Sequence, residues 1–163
     1  MTKEIAVFGG GCFWHIQFVF SKVPGVVSTF AGYMGGDEKK YPNVTYEQVC
    51  SHQTGYAEVV LIEFDNKKVS YDAILEKFWK EHDPTTLNRQ GPDIGDNYRS
   101  VIFYQNKEQK AKAEASKKKA QKMFEDKIVT EIQPSNKFKF VEAEDYHQNY
   151  VIKHGGVDTC PIR

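Results

Sequence analysis

Three consecutive glycines, Gly9-Gly10-Gly11, followed at once by Cys12-Phe13-Trp14, constrain this chain more than any other stretch. The apolar segment Ile5-Ala6-Val7-Phe8 precedes them, and an apolar pattern through Trp14, Phe18 and Phe20 to Val23 follows. The chain is therefore expected to pass from a strand over 4–8 into a helix over 12–22 through a turn almost bare of side chains. That turn delivers the Cys12 thiol to the start of a helix, where free N–H groups and the positive end of the helix dipole favour a thiolate. A thiolate is the nucleophilic form of cysteine. The plainer alternative is a glycine-rich turn ending in a small apolar residue. A phosphate-binding loop is excluded, because no Lys-Ser/Thr follows the glycines.

At 163 residues the chain fits one catalytic domain, expected over 1–163, with a flexible C-terminal tail over about 151–163 that carries Cys160. Lys plus Arg balances Asp plus Glu at 22 each, so no bulk field favours nucleic acid or an acidic membrane. The first residues run into the strand without the apolar stretch of a signal peptide, and no segment approaches transmembrane length, so a cytoplasmic location is expected. Three cysteines without a CxxC pair argue against a disulfide framework or a thiolate zinc site and leave transient thiol chemistry. The five histidines have no metal-ligand spacing, and no metal is expected.

Between 24 and 54 the chain is rich in Gly, Tyr and Pro and shows little periodicity, so it reads as a long functional loop. Residues 55–64 read as an interior strand apolar on both faces, and Ser70 caps a helix over 71–81 with Ile74, Leu75, Phe78 and Trp79 in one stripe. A second irregular stretch covers 82–97; a strand follows over 99–104. Asn106 and Gln109 then form a capping-box start for a charged helix reaching about Glu125. Residues 129–133 are expected to be the last strand, with irregular wrapping from Asn136 onward. Alternating strands and helices of this kind make an α/β or α+β two-layer sandwich, with the site on its loops.

Strand parity puts Glu58 on the face of Tyr56, Val60, Ile62 and Phe64. A carboxyl buried there has its pKa raised and can serve as a general acid; a strand-edge carboxylate paired with Arg or Lys is the equal alternative. Tyr33, Tyr41, Tyr46, Tyr56 and Tyr98 crowd the loops, and phenols suit a substrate that joins a polar oxygen to an apolar group.

The blocks Gly11-Cys12-Phe13-Trp14, Thr45-Tyr46-Glu47-Gln48-Val49-Cys50, Thr54-Gly55-Tyr56-Ala57-Glu58, His82-Asp83-Pro84-Thr85, Asn88-Arg89-Gln90-Gly91-Pro92-Asp93, Tyr98-Arg99-Ser100 and Ala143-Glu144-Asp145-Tyr146-His147-Gln148 occur in this order. Together they resemble the signature of the A-type peptide methionine sulfoxide reductases. The resemblance implies an α+β fold, a two-layer α/β sandwich whose ferredoxin-like mixed sheet carries helices and long surrounding coils. It implies reduction of methionine S-sulfoxide, free or in peptides and proteins, to methionine, a repair of oxidative damage that passes through a sulfenic acid at Cys12. By motif, Cys12 is the nucleophile and Glu58 the acid, and Tyr46 and Tyr98 hydrogen-bond the sulfoxide oxygen. Phe13 and Trp14 form the wall for the terminal methyl, and Asp93 supports substrate orientation. No cofactor is bound; the reductant is an external thioredoxin-like dithiol protein, and the enzyme is expected to act as a monomer.

Cys160, behind Gly155 and Gly156, is the candidate resolving thiol, ahead of Cys50, which reads as structural. The chain departs from the family pattern at His15, where Gly is common, at Tyr56 for a frequent His, at Gln17 for Glu, and in a tail without the usual Asn-Gly-Tyr-Cys segment. His15, on the face of the nucleophile, lowers the Cys12 pKa if charged. Two other classes stay open: a cysteine hydrolase or acyltransferase using His15 or His147 as base, and a noncatalytic methionine-binding module.

Overall fold

The computed structural model describes residues 2–157. Its first strand, β1 (Lys3–Gly9), leads through the glycine turn into α1 (Phe13–Ser21). Then come β2 (Val26–Met34), the short α2 (Tyr46–Cys50), β3 (Ala57–Asp65) and α3 (Tyr71–Lys80). A small hairpin of β4 (Arg89–Gln90) and β5 (Asp93–Ile94) precedes a single 3-10 turn, Asp96–Tyr98. The chain continues through β6 (Val101–Tyr104), α4 (Lys107–Gln121), β7 (Glu131–Pro134), β8 (Val141–Glu142) and α5 (Tyr150–Lys153).

Six strands form one mixed sheet in the order β7-β6-β1-β3-β2-β8. Its four central strands, β6-β1-β3-β2, are linked by α1 and α3 in the split β-α-β pattern of ferredoxin-like folds. β7 adds in parallel at one edge, and β8 adds antiparallel at the other. The α+β expectation is borne out.

Burial on both faces of β3 follows from its apolar sequence. Tyr56, Val60, Ile62 and Phe64 join Phe13, Ile16 and Phe20 of α1 and Ile74, Leu75 and Phe78 of α3 in the larger core. Ala57 and Val59 point the other way, where Val7, Val101 and Phe103 form a second layer roofed by Phe138 and Phe140. Glu58 has the parity of the helix-covered face, and β3 lies between β1 and β2, so its carboxylate is not at a strand edge.

Caps begin the helices as expected: Ser70 Oγ accepts the Ala73 N–H at 3.0 Å and Asn106 Oδ1 accepts the Gln109 N–H at 2.9 Å. Gln109, however, reaches back to the N–H of Gln105 rather than to that of the cap, at 2.9 Å. The helix α4 stops short of Glu125. The Gln121 side chain closes the following turn by accepting from Ile128 N–H and donating to Asp126 O, each at 2.9 Å.

Two expectations fail in physically instructive ways. The segment 24–54 is not one long loop, because β2 runs through it as a strand paired on both sides. Its C-terminal half is covered above by α1 and below by Phe140, whose ring would lie 2.4 Å from a Cβ at Gly32, so no apolar-polar alternation develops. Nor is 129–133 the last strand: the two-residue β8 pairs with β2 through Gly32–Glu142 and Tyr33–Val141.

The Gln148 side chain is one hub that fastens the C-terminal segment. Gln148 Oε1 accepts from Ala31 N–H (2.9 Å) and Gln17 Nε2 (3.2 Å), while its Nε2 donates to the Ala31 and Ala143 carbonyls, both at 2.9 Å. Gln17, in turn, donates to Thr29 O and accepts from Asn149 N–H. Gln148→Ala strands several of these partners at once and is expected to lower unfolding stability by about 3 kcal/mol, read from urea denaturation.

Candidate active site

The turn between β1 and α1 sets the geometry. Gly11 has φ 97°, and a Cβ on it would fall 2.6 Å from Gln90 Cγ, so only glycine lets the β4–β5 hairpin close over the turn. Gln90 is itself pinned by accepting the Asp83 N–H and donating to Asp83 O, both at 2.8 Å. Cys12 then occupies the N-cap position of α1, partly exposed, at the positive end of the helix.

The first N–H of α1 does not point into solvent. Phe13 N–H donates to Glu58 Oε1 at 3.2 Å, which brings the carboxyl to the residue after the thiol. Only 2% of Glu58 is exposed, and burial of this degree makes a charged carboxylate costly. Its other oxygen, Oε2, accepts from Asn97 Nδ2 at 3.4 Å.

Two phenols share the field of Glu58. Burial pushes Tyr46 well above the ordinary tyrosine pKa, helped by a hydrogen bond with Cys50 and by the Glu58 charge. Burial likewise raises Tyr98, with Glu58, Cys50 and Asp93 adding to the shift and a hydrogen bond with Asn97 opposing it. Both hydroxyls therefore remain protonated donors at neutral pH. Tyr33 and Tyr56, which belong to the same sequence cluster, have other work. Tyr33 donates to Glu144 Oε1 at 2.8 Å and Tyr56 to Tyr41 O at 2.9 Å, so Tyr56 does not offer its hydroxyl to Glu58.

An aromatic box adjoins the thiol. Phe13 lies 5.6 Å from Tyr33, 6.4 Å from Tyr46 and 5.2 Å from His147 between ring centroids. Trp14 stacks on Tyr150 at 3.7 Å with the planes 7° apart, and its Nε1–H donates to His147 Nδ1 at 3.0 Å. That bond assigns the neutral tautomer with hydrogen on Nε2. Burial pushes the His147 pKa down, against the pull of Glu144, so the imidazole stays neutral. Glu144 also accepts the Tyr46 N–H at 3.0 Å, fixing the start of α2 beside the box. Burial acts to raise Glu144, but the hydrogen bonds from the backbone and from Tyr33 outweigh it and hold it below the usual carboxylate range.

The remaining candidates fall at the rim or outside. Asp93 begins β5, with its pKa raised by burial, close enough for its charge to act on Tyr98. The Cys50 thiol is free and lies in the same field as Tyr46; burial raises its pKa more than the Tyr46 hydrogen bond lowers it. His15 is directed to the end of α3, with Nε2 3.1 Å from Glu81 O and 3.6 Å from Glu81 Oε2. Cys160 lies outside the described residues. Among the described residues no cluster of His, Cys, Asp or Glu is placed to hold a metal ion.

Asn97 was not singled out from the sequence. A lone Asn before Tyr98 carries no signal of its own; only the return of the turn Asp96–Tyr98 to β3 shows that its amide meets the carboxyl. Glu144 was legible only as a member of a motif block, and His147 as one and as the candidate base of a cysteine hydrolase.

A protein-family model described as peptide methionine sulfoxide reductase matches residues 4–163. The peptide methionine sulfoxide reductase MsrA of Geobacter sulfurreducens is 56% identical over 157 residues, covering 95% of this chain and 94% of its own. Among solved structures, Mxr1 from Saccharomyces cerevisiae in reduced form matches with a TM-score of 0.90 and 33% identity over 98% of this chain and 90% of that one. Methionine sulfoxide reductase A of Corynebacterium diphtheriae matches with a TM-score of 0.84, also at 33% identity, over 98% of this chain and 78% of that one.

Proposed function

The chain belongs to the peptide methionine sulfoxide reductase family, and from that membership we propose how its residues divide the reduction of methionine S-sulfoxide to methionine. The observation that carries this reading is the 3.2 Å bond from Phe13 N–H to Glu58 Oε1, which ties an acid to the residue next to the thiol.

Substrate enters with its methyl group against Phe13 and Trp14 and its oxygen toward Tyr46 and Tyr98. The Cys12 thiolate attacks the sulfoxide sulfur, a weak electrophile until its oxygen is protonated. Glu58 supplies that proton, and the two phenols donate to the oxygen as charge builds on it. In the net step the substrate S–O bond breaks and an S–O bond forms at Cys12. The sulfoxide sulfur gains the electron pair that Cys12 loses. Methionine departs, leaving Cys12 as a sulfenic acid, one reversible step up the oxidation ladder. Asp93, at the rim, orients the peptide around the reacting side chain.

A resolving thiol, Cys160, then displaces water from the sulfenic acid and forms a disulfide with Cys12. A thioredoxin-like dithiol protein reduces that disulfide by exchange. Thiols alone balance the electrons of this cycle, so it needs no bound cofactor. The free Cys50 thiol suits the reducing cytoplasm, and no helix among the described residues is long and apolar enough to cross a membrane. Oxidised proteins and peptides, together with the dithiol reductant, are the partners this scheme requires.

The test uses an N-blocked methionine sulfoxide racemic at sulfur, incubated with the protein and dithiothreitol, with the remaining epimers resolved on a chiral column. Loss of the S epimer alone, matched by methionine, is expected. Loss of the R epimer, or of neither with the protein folded and Cys12 reduced, would overturn the assignment.

A further inference from the structure

We infer that His52 is a positioning residue for the acid, holding the Asn97 amide so that its NH2 group faces the Glu58 carboxyl. The inference rests on the reading of Glu58 as the proton donor.

His52 follows α2 with φ 61°, a left-handed conformation in which a side chain is unfavourable. Its N–H closes the helix on Val49 O at 3.1 Å, a task that glycine performs without strain. What the imidazole adds is a 2.9 Å hydrogen bond between Nδ1 and Asn97 Oδ1. An amide oxygen only accepts, so Nδ1 carries the hydrogen.

With Oδ1 occupied, Asn97 turns its NH2 group toward Glu58 Oε2, 3.4 Å away. The same amide shares a hydrogen bond with the Tyr98 hydroxyl. Asn97 is fully buried, so its orientation is set by these partners rather than by water. A reversed amide would set its oxygen against the carboxylate and would force the imidazole into its other tautomer to accept from the NH2 group. When Glu58 releases its proton, the carboxylate left behind is stabilised by the N–H groups of Phe13 and Asn97. An amide free to turn stabilises it less.

The surroundings accommodate this contact. Gly95, at φ 145°, leaves the room: a Cβ there would lie 2.4 Å from His52 Cε1 and 2.5 Å from Asn97 Oδ1. An exposed ring on strained backbone, received by a glycine across a buried amide, is a local cost attached to a contact with the site.

Single-turnover formation of methionine from an N-blocked methionine S-sulfoxide, followed by timed quenching, tests the inference in the full chain. His52→Gly removes the ring and relieves the backbone. It is expected to slow the reaction about fivefold at saturation, the loss of one hydrogen bond's worth of transition-state stabilisation. Half-saturation and the thermal midpoint should not worsen, and added imidazole should restore part of the rate. On a Glu58→Gln background the same change should slow the reaction no further. An unchanged rate in His52→Gly, or a full repeat of its loss on the Glu58→Gln background, overturns the inference. Should His52→Gly fail to fold, His52→Asn, which tolerates the left-handed backbone but is too short to reach Asn97, is read in the same two ways. A Glu58→Gln variant as fast as wild type would instead overturn the acid reading, and the inference with it.

Discussion

Cys12→Ser is expected to reduce methionine formation to background with every reductant, small thiol or dithiol protein alike. A serine hydroxyl is not ionised at the start of α1, and its oxygen has no accessible two-electron oxidation with which to accept the substrate's oxygen. The helix dipole that favours a thiolate cannot lower an alcohol's pKa far enough to compensate. Cys160→Ser separates the two halves of the cycle. It should still form about one methionine per protein, because the sulfenic acid forms without a resolving thiol, and turnover should continue when a small thiol is supplied. Rapid quenching with quantified methionine reads both variants; equal loss in the two would overturn their separate roles. Cys50 is the weaker resolving candidate, since burial keeps its thiol protonated more firmly than that of an ordinary cysteine and the thiolate is the attacking form.

Glu58→Gln has the second largest expected effect, a fall in single-turnover rate of about 10²–10⁴ with KM nearly unchanged. Glutamine keeps the size of the side chain, and its amide oxygen can still accept the Phe13 N–H, so the thiol and the aromatic box stay where they are. It cannot deliver a proton. Its NH2 group also meets the NH2 of Asn97, so one amide must turn and lose a partner. A rate within a few fold of wild type would remove Glu58 as the acid. A proportionate rise in KM would make it a substrate-binding group instead.

Features set by near neighbours were the legible ones. Cys12 at a strand-to-helix turn follows from the residues on either side of it. The inward parity of Glu58 follows from a strand apolar on both faces, and α3 from a cap and a clean stripe. The central strand β2 escaped because being covered on both sides erases alternation. The helix α2 escaped because five residues are too few to show a period, although its capping box of Thr45 and Gln48 was written in the sequence. Within the site, Phe13 meets Glu58 across 45 residues and Trp14 meets His147 across 133. No local pattern reports such pairings, and only the motif blocks hinted that these residues belong together.

The wall proposed to receive the substrate's methyl group is not made by the sheet alone. Trp14 is braced from outside by Tyr150 and His147, and both belong to a segment joined to the rest by two strand pairs, by Gln148 to Ala31 and Gln17, by Asn149 to Gln17, and by Glu144 to Tyr33 and Tyr46. Proteins open in pieces, and pieces held by few contacts open first. Competence and foldedness are therefore separable in this molecule. If the last stretch of chain lifts from β2 and α1, the thiol and its acid remain on an intact sheet, but the pocket that selects a methyl sulfoxide loses one side. On the proposed roles, the catalytic pair rests on the sheet, whereas substrate selection also rests on how firmly the last segment stays anchored.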